Sequence, residues 1–158
     1  MSVLRRAALA LATLSLSAGA SLAMGGDMPA ADLKKIHDYT LSMDKIHALQ
    51  AALADIKALG KKDATFKAKV ENAQDDGDDH ATIAQIEAKM DRYPRLVAIY
   101  RKHGLSDDDV LLMPLALMGA GVAVQYPKAA AQLADQTSPQ QIAFFRAHQA
   151  ELKSVSWK

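Results

Sequence analysis

The sequence predicts an all-α protein: a single helical bundle of about five helices, with a central apolar helix near residues 106–126. Three observations lead there. The chain is rich in Ala, Leu, Lys, Asp and Gln, and only 5% of its residues are aromatic. Strand formers never alternate for more than a few residues, whereas apolar residues recur at gaps of three and four. Helix start and stop signals punctuate the chain at short intervals.

The first helix is expected from about Ala30 to Leu59, capped by Asp32 or a neighbour and ended by Gly60. Ile36, Tyr39, Met43, Ile46, Leu49, Leu53 and Ile56 form its apolar stripe, with Lys34, Lys35, Lys45, Gln50 and Lys57 on other faces. Asp63 reads as the N-cap of a short second helix to about Ala73, with Phe66 and Val70 on its apolar edge. The acidic turn Asp75-Asp76-Gly77-Asp78-Asp79 follows. A third helix starts near Asp79 or His80 and turns Ile83, Ile86 and Met90 inward. It breaks at Tyr93-Pro94, because proline disfavours helix in the residue before it. The chain restarts at Pro94, a favoured first helical residue, and runs through Leu96, Val97, Ile99 and Tyr100 to the stop signal His103-Gly104-Leu105.

Ser106 caps the next helix and puts Asp107, Asp108 and Asp109 in its first turn, where the helix dipole favours anions. Val110 to Val124 then contains no charged residue. A helix apolar nearly all round is either central to a bundle or in a membrane. At about 15 residues, and with Pro114 interrupting it, this one is short for a span and reads as buried. Ala116, Gly119, Ala120 and Ala123 give it a small-residue face that a neighbouring backbone can approach closely. Tyr126-Pro127 ends it, and a linker follows with a helical turn at Ala129 to Leu133. The last helix begins with a capping box: Ser138 at the N-cap, Pro139 at N1 and Gln141 at N3. Ile142, Phe145, Leu152 and Val155 make its inner stripe, Gln149 lies at the margin, and Trp157 at the frayed end is placed to fold back on the bundle.

The first 23 residues stand apart. A basic start, Met1 to Arg6, precedes an apolar run from Ala7 to Ala20, and Ser21-Leu22-Ala23 supplies the small residues a signal peptidase reads. This predicts a signal peptide over 1–23, one helical domain over 24–158, and a protein that is periplasmic or secreted, with no membrane span in the mature chain. The formal charge is +1, and removing Arg5 and Arg6 with the leader takes it to −1, so no basic excess points to nucleic acid. The chain has no cysteine, which excludes thiolate metal sites, covalent c-type haem, disulfide exchange and cysteine nucleophiles.

Three stretches carry a resemblance. They are Tyr39-Thr40-Leu41-Ser42-Met43-Asp44-Lys45, then Tyr93-Pro94 through Gly104-Leu105-Ser106 into the apolar helix, then Ser138-Pro139 through Phe145-Arg146-Ala147-His148 to Glu151-Leu152. Together they resemble an uncharacterised family of small exported proteobacterial helical proteins. The resemblance implies export and an all-helical fold, and it supplies no chemistry.

Few residues suggest chemistry directly. Met43 and His47 share a helix face at i and i+4, and a thioether with an imidazole suits copper. His148 and Glu151 share a face at i and i+3, and either hold a metal or orient the imidazole. A non-covalent haem between Met28 or Met43 and His148 is a further arrangement that a bundle permits. The acidic turn lacks EF-hand spacing, since the residue six beyond Gly77 is Ile83 where calcium needs a glutamate. No Gly-x-Ser-x-Gly, Gly-rich phosphate loop or recognisable carboxylate pair is present. The expectation is therefore a non-enzymatic binding protein with a protein partner in the cell envelope and no cofactor. A metal or haem carrier using His47, His148 and methionines is the alternative, since both histidines lie on bundle helices that folding can bring together.

Overall fold

The computed structural model describes residues 28–75, 81–128 and 130–155, and among them it is helical throughout with no strand. The predicted leader at 1–23, the acidic turn beyond Asp75 and Trp157 lie outside the described residues. Among the described residues, eight α-helices stand where about five were expected. They are α1 Ala30–Asp38, α2 Met43–Lys62, α3 Ala64–Asp75, α4 Ile83–Met90, α5 Pro94–Lys102, α6 Asp107–Gln125, α7 Pro139–Ala147 and α8 Gln149–Ser154, with a 3-10 turn at Ala130–Leu133.

The three extra helices come from the restart at Pro94 and from two further breaks. The predicted first helix divides at Tyr39–Ser42, where Tyr39 (φ −66°, ψ 128°) and Ser42 (φ −145°, ψ 135°) are extended. The carbonyls freed at the end of α1 find a distant donor. The Gln141 amide nitrogen donates to Ile36 O at 2.7 Å, His37 O at 3.2 Å and Tyr39 O at 2.8 Å. The predicted last helix divides at His148 (φ −107°, ψ 13°), which ends α7 and begins α8. Elsewhere α2 passes straight through Gly60 and stops at Asp63, whose carboxylate accepts from Phe66 N at 2.9 Å and so caps α3. The α4 helix starts at Ile83 rather than Asp79 or His80, because Thr82 and Gln85 form a reciprocal capping box there.

The other local signals act as expected. Pro94 opens α5. Gly104 adopts φ +72°, and Leu105 N reaches back to Tyr100 O at 3.1 Å while Gly104 N reaches Arg101 O at 2.9 Å, a Schellman stop. Gly tolerates this left-handed backbone without the steric cost a β-carbon brings.

The core runs along α6. Leu112, Met113, Ala116, Leu117, Ala120 and Ala123 are buried there, and α1, α2, α7 and the 3-10 turn pack around it. The helix continues through Pro114 instead of being interrupted. Burial on several sides offsets the loss of one backbone hydrogen bond, a cost of about 3 kcal/mol in an isolated helix. The small-residue face accepts close neighbours. A β-carbon at Gly119 would collide with the Thr137 hydroxyl, and one at Gly121 would lie 3.1 Å from the Phe145 ring. Ile36, Ile46 and Leu49 from α1 and α2 complete the core with Leu152 and Val155, so the apolar stripes point inward as predicted. No helix among the described residues is long and apolar enough to cross a membrane.

Candidate functional site

Two polar clusters between helices are candidates. The first lies at the N-terminus of α6. Ser106 and Asp109 cap it reciprocally: Asp109 N donates to Ser106 Oγ at 3.1 Å, and Ser106 N donates to Asp109 Oδ2 at 2.8 Å. The same carboxylate reaches beyond its own helix. It accepts from the Tyr39 hydroxyl at 2.8 Å and from Lys45 Nζ at 2.8 Å, and Lys45 also donates to Gly104 O at 2.8 Å. The network therefore ties the α1–α2 break, the start of α2 and the α5–α6 junction to one side chain that is only 11% exposed.

Electrostatics follow from these contacts. Burial by itself would raise the Asp109 carboxyl, but hydrogen bonds from Lys45, Ser106 and Tyr39 outweigh it and hold the group at about 2. Burial, followed by the hydrogen bond to ionised Asp109, pushes the Tyr39 phenol well above its ordinary range. Asp109 is thus ionised and Tyr39 neutral throughout the physiological range. A carboxylate this fully partnered is a fastener between helices, and it has no proton to exchange with a substrate near neutral pH.

Gln141 and Asp32 act in the same way. Gln141 is 2% exposed; its oxygen caps α7 at Ser138 N (3.0 Å) while its amide nitrogen holds the end of α1. Buried Asp32, expected as a local cap of the first helix, instead accepts from Ile83 N at 3.0 Å and caps α4 from a distance.

The second cluster contains the residues the sequence singled out. His47 on α2 lies with Nε2 3.4 Å from Glu151 Oε1, and His148 Nδ1 lies 3.5 Å from Glu151 Oε2. One carboxylate on α8 thus faces imidazoles from two directions. The His148 ring also stacks on Phe144, with centroids 4.6 Å apart. Met43, like Met28, packs against the hydrophobic core. The structure joins the His148/Glu151 pair to His47. As they stand, no three His, Asp or Glu side chains among the described residues close on a common point where a metal is held.

Sequence reasoning missed Tyr39, Lys45 and Gln141 as partners across the fold. Gln141 was visible as a capping residue and Tyr39 as part of an apolar stripe, but neither signal names a partner 70 or 102 residues away. Compared with known proteins, the chain matches no family model, no curated protein and no solved structure.

Proposed function

We propose that this is a non-enzymatic binding protein, exported to the periplasm or secreted, whose partner is a protein of the cell envelope. One observation carries the reading. The buried polar side chains that look most like reactive groups, Asp109 and Tyr39 with their neighbour Lys45, are engaged with helix ends and with one another. Catalysis by acid and base needs a group able to gain or lose a proton near working pH, and Asp109 and Tyr39 are held far from that range. The leader-like residues 1–23 support export. The test has two arms. Intact mass of the protein recovered from the periplasm should begin near Met24, and retention of residues 1–23 would defeat the export reading. Cross-linking in intact cells, followed by rebinding of the purified candidate, should identify one envelope protein that saturates the chain. Turnover of a substrate by the purified protein would defeat the binding reading.

A further inference from the structure

We propose that the hairpin of α2 and α3 docks on an anionic phospholipid surface through Lys57, Lys61, Lys62, Lys67 and Lys69. This goes beyond the protein-binding role and does not depend on it. Charge is segregated along the chain. Residues 57–69 hold five lysines and one aspartate, so this stretch is strongly basic while the rest of a chain of formal charge +1 is net acidic. Several cations elsewhere are spent on carboxylates: Lys34 faces Asp38, Lys45 faces Asp109 and Lys102 faces Asp55. Among the described residues, Lys57, Lys61, Lys62 and Lys69 are exposed and pair with no carboxylate. Lys67 reaches Glu71 only loosely, at 3.7 Å, with the two side chains 63% and 60% exposed.

The fold gathers these cations. Lys57, Gly60 and Lys61 share one face of α2 at i, i+3 and i+4. A β-carbon at Gly60 would lie 3.6 Å from Lys67 Cβ, so the stem of Lys67 crosses from α3 onto that face. Other residues hold the hairpin in place. Phe66 is buried, and the Arg95 guanidinium lies 5.0 Å from its ring centroid and 2.8 Å from Asp63. Helix stability does not account for the lysines. Lys61 and Lys62 suit the C-terminal end of α2, but Lys67 and Lys69 stand in the first half of α3, the end where a helix dipole disfavours cations. The chemistry of the face selects its partner. The cores of protein interfaces draw on aromatic, Met and Arg side chains, and lysine is depleted there. Phe66, the one aromatic residue of 57–69, is buried, and the exposed positions between the lysines are Ala58, Ala64, Thr65 and Ala68. Long cationic side chains over small residues match a dense layer of phosphodiester headgroups, which needs no shaped pocket. The contact is peripheral, since no helix among the described residues is long and apolar enough to cross a membrane.

The experiment is co-sedimentation of the full chain with vesicles of phosphatidylcholine, either alone or mixed equally with phosphatidylglycerol. The chain should bind the anionic vesicles and not the neutral ones, and salt of about 0.5 M should release it as screening shortens the reach of the charges. Each lysine near an anionic surface is worth about fivefold in affinity, so Lys57→Gln/Lys61→Gln/Lys67→Gln should bind on the order of a hundredfold more weakly. Lys128→Gln/Arg146→Gln/Lys153→Gln removes the same charge from exposed positions elsewhere and should leave binding nearly unchanged. All chains compared carry the same residues 1–23, so the basic start contributes equally to each. Equal binding to both kinds of vesicle would overturn the proposal, as would equal losses in the two triple variants. Binding to soluble polyglutamate with none to anionic vesicles would also overturn it, and would assign the hairpin to an acidic protein instead.

Discussion

At the N-terminus of α6, Asp109 receives hydrogen bonds at 2.8 Å from Tyr39, Lys45 and Ser106, and its side chain is 11% exposed. At the α2–α8 junction, Glu151 faces two imidazoles at 3.4 Å and 3.5 Å and is 47% exposed. Both are carboxylates that meet groups from distant helices. The difference lies in how completely each is satisfied. A shielded carboxylate must have its lone pairs filled or folding suffers, so the Asp109 site is short, crowded and committed to structure. Glu151 and its histidines lie open to solvent, where an ion pair gains little, so their spacing is loose. The carboxylate that holds the fold and the one that does not are told apart by burial and distance, not by residue type.

Substitutions can break this comparison, and the largest effect is expected at a third buried fastener of the Asp109 kind. Gln141→Glu keeps an oxygen for Ser138 N but turns a donor into a buried carboxylate against the Ile36, His37 and Tyr39 carbonyls. It should cost about 4 kcal/mol at neutral pH, with the deficit shrinking in acid as the new carboxyl protonates and donates again. Denaturant unfolding at two pH values measures both. An unchanged midpoint would mean that the break between α1 and α2 does not depend on Gln141.

Asp109→Ala should come next, at about 3 kcal/mol, because it removes the acceptor for Ser106 N in the capping box and leaves Tyr39 and Lys45 without their shared acceptor. The pH dependence sharpens the same point. The Asp109 carboxyl is depressed from 3.8 to about 2 in the folded state. Its contribution is therefore fully present above pH 4 or so and is lost as pH falls through about 2. That contribution is on the order of 2 kcal/mol, and the acid limb of a stability–pH curve should flatten in Asp109→Ala by that amount.

The smallest effect is expected at the other cluster. Glu151→Gln should change stability by less than about 0.5 kcal/mol, as for other exposed ion pairs. A thermal melt decides it. A loss as large as that of Asp109→Ala would make Glu151 a structural fastener and erase the distinction drawn between the two sites.

Much of the fold was legible in the residues, and the pattern of what was legible has a physical cause. The caps at Ser106 and Ser138, the proline start at Pro94, the Gly104 stop and the inward stripes of Ile36, Ile46 and Leu49 all act as their sequences predict. Each depends on partners within a turn or two, so local sequence carries the whole signal. The sharing of a helix face by His148 and Glu151 was also legible, and the two side chains do meet. The breaks at Tyr39–Ser42 and His148 were not, nor was the passage of α6 through Pro114. A helix ends where its carbonyls are best satisfied, and for α1 the donor is Gln141, more than a hundred positions along the chain. Tertiary structure likewise brought His47 to Glu151, because that meeting depends on how α2 lies against α8. The sequence by itself determined which segments are helical and which faces are apolar, since those follow from short-range sterics and periodic burial. Where the long helices break, and which carboxylate meets which base, was decided only when the packed helices brought unsatisfied polar groups within hydrogen-bonding or ion-pairing distance of one another.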